Sequence, residues 1–119
     1  MKVERTDYFN QNVNFYFRKK KYRKITDDID PIIKELEQGN LPGDKIPGLH
    51  LPEGTAAYKV RISNSSANVG KSNGFRLIYY VVIDKKVYLL TIYSKKDDER
   101  IPDDSGIIDF ISPLLKNLN

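Results

Sequence analysis

Four basic residues would surround one phosphate if the strands that carry them lie side by side. Lys59 and Arg61 alternate with Tyr58, Val60 and Ile62, so they share the opposite side of a strand. Arg76 lies inside the apolar run 75–83 with no acid close to it in sequence, and Lys96 follows the run 86–94. Charges set inside apolar runs are paired or functional as a rule, because burying a bare charge is costly. Arg suits a phosphate, since its planar fork binds two oxygens and stays charged. Lysines crowded by other cations lose protons more easily, which suits acid–base work. The reading is therefore Arg61 and Arg76 as phosphate stabilisers, Lys59 as a base and Lys96 as an acid. Lys71, Lys95, Tyr80 and Tyr93 are expected to contact the same polyanion. Tyr79 and Tyr80 point to opposite faces, so one is expected in the core and the other can be wet.

A second basic group, Arg18, Lys19, Lys20, Lys21, Arg23 and Lys24, reads as either an RNA-docking patch carried by Lys19 and Lys20 or a solvated turn. Residues 27–53 reverse the sign, with seven acids against Lys34 and Lys45. Residues 58–100 hold nine basic and four acidic residues. The formal net charge of +4 thus conceals an acidic segment between two basic ones.

Some motifs fail on context. Gly70-Lys71-Ser72 resembles the end of a phosphate-binding loop, but Ser65 stands where that loop needs glycine and a strand follows instead of a helix. Residues 74–80 lack the aromatic spacing of an RNA-recognition strand. Asn64-Ser65-Ser66 is a glycosylation sequon, meaningful only after secretion. His50, the lone histidine, reads as a polar loop residue among prolines and glycines.

The elements that must position these cations follow from periodicity. Residues 2–5 read as a short edge strand. Thr6 or Asp7 can cap a helix whose apolar face carries Phe9, Val13, Tyr16 and Phe17. A second helix spans about 26–38 with Ile29, Ile32, Ile33 and Leu36 on one side. Either Thr26 caps it or Asp30 does, with Pro31 as its first residue. Gly39 ends it. Residues 40–57 read as a long loop, followed by a strand over 58–63 and a polar loop over 64–74. Residues 75–83 and 86–94 read as central strands of a hairpin around Asp84-Lys85. A short helix is expected from about Ser105 to Leu115, ending or breaking near Pro113. The order is β-α-α-β-β-β-α, an α+β chain.

At 119 residues the chain has the size of one domain, 1–119. It is 39% hydrophobic and 30% charged, enough for a core and unlike a fibrous chain. No apolar run reaches membrane-spanning length and the first residues lack a signal-peptide core. There is no cysteine, hence no thiol nucleophile or Cys-based zinc site, and one histidine builds no His-rich metal site. The expectation is a cytoplasmic domain with no metal, cofactor or membrane partner.

Several stretches together resemble the RelE/HigB group of bacterial type II toxins. They are Gly43-Asp44-Lys45-Ile46-Pro47-Gly48-Leu49, Tyr58-Lys59-Val60-Arg61-Ile62, Gly70 through Tyr80, and Tyr88 through Lys95, in the family's order over nearly the whole chain. The resemblance implies an N-terminal αα-hairpin packed on a small, mainly antiparallel twisted sheet with a short C-terminal helix. It implies a cognate antitoxin and ribosome-dependent, metal-free cleavage of mRNA. It places Arg76 at the family's phosphate-binding arginine, Lys59 and Arg61 at its basic positions on the preceding strand, and Lys96 at the residue assisting the leaving group. The family often has a tyrosine or histidine a few residues later. Here residues 97–102, Asp-Asp-Glu-Arg-Ile-Pro, hold neither, so Tyr93 or Tyr80 would have to substitute. Gyrase-poisoning relatives and a catalytically degenerate binding module are the alternatives.

Overall fold

The computed structural model describes residues 1–115. Its sheet has the order β1-β5-β4-β3-β2 and is mixed. Strand β1 (Lys2–Arg5) runs parallel to β5 (Lys86–Ser94), while β4 (Phe75–Val82), β3 (Thr55–Ile62) and the two-residue β2 (Asp44–Lys45) pair antiparallel. Helices α1 (Asp7–Arg18) and α2 (Ile25–Glu37) lie between β1 and β2, and α3 (Asp104–Leu115) follows β5.

The two faces of the sheet bury different things. Phe9 and Tyr16 of α1 and Ile25, Ile29 and Leu36 of α2 pack on Val60, Ile62, Leu77, Tyr79 and Leu89, which defines an inner face. The outer face carries Ala57, Ile78, Tyr80, Tyr88, Leu90 and Tyr93, covered by Ile107 and Ile111 of α3 and by Leu49. Strands buried on both faces read as near-continuous apolar runs, and β4 and β5 do so apart from Arg76 in the one and Lys86, Thr91 and Ser94 in the other. A β-bulge marks β5: Ile78 pairs with Thr91 but Tyr79 with Leu89, leaving Leu90 extra. Buried Asn12 of α1 serves this irregularity, its Oδ1 accepting from Thr91 Oγ1 at 2.5 Å and from the Ile92 amide at 3.4 Å.

Several boundaries differ from the sequence reading. Thr6 is the cap of α1, its Oγ1 accepting from the Phe9 amide at 3.2 Å. Neither expected start of α2 holds: the helix begins at Ile25, Lys24 occupies the capping position without a side-chain bond, and Pro31 lies inside. Gly39 does end α2, with φ +89° and paired bonds from Gly39 N to Leu36 O and from Asn40 N to Glu35 O. That is the Schellman closure, which needs the left-handed residue glycine supplies. The expected loop over 40–57 contains β2 and the start of β3; the small residues Ala56 and Ala57 hid that start. Phe17 is not core, being 36% exposed. Pro113 sits within the last turn of α3 and does not break it.

Candidate nucleic-acid interface

The cations gather at one end of the sheet. Arg61 and Arg76 are direct partners across β3 and β4, and Tyr93 of β5 is the partner of Arg76 on the other side. Alternation sets Lys59 and Arg61 on the outer face, opposite the buried Val60 and Ile62, and both are exposed. Like charges placed directly opposite each other destabilise a strand pair. Neither arginine is ion-paired: the one ion pair among the described residues joins Lys86 and Glu4 at 3.7 Å, at the far end of β5.

Arg76 is 8% exposed, and its burial is answered by backbone. Its Nη1 donates to Lys71 O at 3.0 Å and Phe75 O at 3.3 Å, and its Nη2 donates to Ser72 O at 3.2 Å. A guanidinium has five N–H donors, so these bonds do not exhaust it. The same bonds fold loop 70–74 back over the end of β4. Gly74 permits this, since a Cβ there would collide with the Ile62 carbonyl. Burial first, and the charge of Arg61 second, lower the pKa of Arg76, while Tyr93 works the other way.

The remaining basic residues are arranged around that pair. Lys71 is exposed and shares a groove of about 260 Å³ with Arg61, bordered by Asp27 and Asp28 of α2. The Lys95 amide donates to Gly74 O at 2.9 Å and that of Lys96 to Ser94 Oγ at 3.3 Å, which holds both exposed lysines at the end of β5. Lys19 and Lys20, also exposed, belong to the α1–α2 turn. This turn is pinned to the same end: Tyr22 lies 5.9 Å from the Phe75 ring, and the Lys24 amide donates to Ser66 Oγ at 2.9 Å.

The tyrosines correct the sequence reading. Tyr79 and Tyr80 do point to opposite faces, but both are fully buried. Tyr80 therefore does not present its ring to RNA, and its hydroxyl is the one buried side-chain polar atom without a partner among the described residues. Tyr93 is 4% exposed. Burial pushes its phenol up, with Arg76 pulling it back. Both rings are thus closed off from solvent.

Two supporting residues went unseen in the sequence. The Tyr16 hydroxyl accepts from the Ser94 amide at 2.9 Å and donates to Asp97 Oδ2 at 2.9 Å, tying α1 to the segment that carries Lys95 and Lys96. Arg100 lies 3.4 Å over the Phe15 ring and closes the same segment against α1. Tyr16 was legible as an apolar-face residue, but its hydroxyl partners, 78 and 81 residues away, left no local signal. Among the described residues no three His, Asp or Glu side chains are grouped to hold a metal, and no helix is long and apolar enough to cross a membrane. Compared with protein-family models, curated proteins and solved structures, the chain matches none.

Proposed function

We propose that this chain is a RelE/HigB-like toxin, a ribosome-dependent mRNA endoribonuclease whose cognate antitoxin neutralises it. The observation that carries this reading is the Arg61–Arg76 couple, direct cross-strand partners with no ion pair to an acid among the described residues, Arg61 exposed and Arg76 buried beside it. Two arginines facing one another without an acid repel, and a phosphate between them turns that repulsion into binding. In the proposed reaction the RNA's 2′-hydroxyl attacks the adjacent phosphorus and the bond to the 5′-oxygen breaks. The products are a 2′,3′-cyclic phosphate and a free 5′-hydroxyl. Arg61 and Arg76 stabilise the charge that builds on the phosphorane oxygens. Lys59 takes the 2′-proton and Lys96 returns one to the leaving oxygen. The antitoxin covers the same cations with an acidic segment; a purified complex that leaves Arg76 and Lys59 bare while cleavage is blocked would contradict this.

Expression of the chain alone, with mapping of mRNA ends, tests the reading. The expected result is growth arrest with new mRNA ends, reduced about 10²–10³-fold in Arg61→Ala, the cost of losing one well-placed donor. Arrest with broken DNA and intact mRNA would assign a gyrase poison. A second reading is favoured by the carbonyl bonds of Arg76 and by the lack of tyrosine or histidine in residues 97–102: an RNA-binding member of the fold that does not cleave. RNA binding without new mRNA ends would select it.

A further inference from the structure

We infer that the α1–α2 turn is a second RNA-binding site, at which a nucleobase stacks on the Phe17–Arg23 pair while the neighbouring lysines hold the strand's phosphates. The choice of RNA as ligand rests on the function proposed above; the site is a different one, formed by residues 17–24.

Phe17 sits in the last turn of α1 with 36% of its surface in solvent. A lone exposed aromatic is ordinary on a protein surface. Its surroundings here are not. The Arg23 guanidinium lies 4.6 Å from the centre of the Phe17 ring. Arg18, Lys19, Lys20, Lys21 and Lys24 complete a group with no ion pair to any acid among the described residues. The helix dipole favours Arg18 and Lys19 at the end of α1. It does not account for the others, and Lys24 stands at the start of α2, where the dipole disfavours a cation.

The backbone points the same way. Lys21 has φ +59°, a left-handed conformation that glycine adopts freely and a lysine adopts at a cost. A strained residue held in place by its surroundings is reason to look for function there. Tyr22, next to it, turns inward and stacks on Tyr16 with ring centres 6.1 Å apart, which anchors the turn and leaves its cations facing out. A planar aromatic with a guanidinium over one face, in a run of exposed basic residues without an ion pair among the described residues, matches a splayed nucleotide: flat base to the aromatic–guanidinium pair, phosphates to lysines.

The test is fluorescence anisotropy with two labelled single strands, an adenosine dodecamer and an abasic dodecamer of equal phosphate number. The wild-type chain is expected to bind the adenosine strand about ten-fold more tightly. Phe17→Leu should erase that difference without weakening the abasic strand, and Phe17→Tyr should retain it. The Lys19→Gln/Lys20→Gln double variant should weaken both strands and lower the salt slope by about 1.4, which is ~0.7 for each phosphate left without its lysine on a single strand. Equal binding of both strands by the wild type, or full discrimination by Phe17→Leu, overturns the inference. So does tighter binding of an acidic peptide than of either strand, which would assign the turn to a protein partner. None of these results depends on cleavage, so an unchanged loss of mRNA cleavage in Arg61→Ala would leave the proposed function standing while this site fell.

Discussion

The outer face of the sheet has two ends built on the same three strands. At one end Ile78, Tyr80, Tyr88 and Leu90 are sealed beneath Ile107 and Ile111 of α3 and beneath Leu49. At the other, two residues away on β4, the face turns to Arg76 with exposed Arg61 as its cross-strand partner, while exposed Lys59, the partner of Ile78, stands at the border between the two ends. Burial of apolar area stabilises the first end at about 25 cal/mol per Å². The second end gains nothing comparable and carries opposed like charges. The sealed end keeps the sheet folded, and that stability tolerates a repulsive end that can bind an anion.

Substitutions at the two ends should therefore part company. The largest stability effect belongs to the sealed end: Leu90→Ala should cost about 2–5 kcal/mol in urea unfolding. RNA cleavage per folded molecule should not change. An equal loss of cleavage would mean that the two ends are not separable.

Arg76 lies at the boundary and should show both effects. Arg76→Ala leaves the carbonyls of Lys71 and Ser72 without this donor. It should cost about 1–3 kcal/mol and raise amide exchange in residues 70–74. Arg61→Ala touches no such bond and should be neutral or slightly stabilising, by about 0.2–1 kcal/mol, as the opposed charge is removed.

Tyrosine burial predicts the pH response. Burial raises the phenol pKa of both Tyr16 and Tyr79 above the ordinary value, so the folded chain keeps protons that the unfolded chain releases. Stability should be level below pH ~10 and fall above it, by up to about 1.4 kcal/mol per pH unit for each such group. Tyr16→Phe should flatten that decline by one group's share, at the cost of the bonds to Ser94 and Asp97. An identical alkaline slope in the variant would remove Tyr16 from this account. A comparably small gain belongs to Tyr80→Phe at the sealed end. It deletes an unpartnered buried hydroxyl and should stabilise by about 1 kcal/mol.

Periodicity carried much of this fold. The strands β1, β4 and β5, the terminating Gly39 and the shared face of Lys59, Arg61 and Arg76 were all readable, because alternation and helix-end chemistry act within a few residues. What escaped was set by distant partners. Asn12 looks out of place on an apolar helix face until the bulge at Leu90 gives its carbonyl two donors. Phe17 fits the helical stripe, yet the sheet does not reach it. Arg76 was expected to be paired or functional, and its partners proved to be carbonyls of the preceding loop, which carry no charge to notice in a sequence. Both tyrosines of the Tyr79-Tyr80 pair are buried because α3 covers the second face; the apolar run of β4 signalled two covered faces, but not that α3 would cover the second over Tyr80.

The contrast between the two ends can be tested directly by amide NMR shifts. The titrant is a trinucleotide RNA made uncleavable by a 2′-deoxy sugar at the scissile position. Shifts confined to residues 59–61, 71–78 and 93–96, with residues 80–90 and α3 silent, are the predicted result. Shifts centred on α3 and the sealed end, or none at Arg61 and Arg76 when the RNA is bound, would contradict the claim that this arginine pair is the phosphate site.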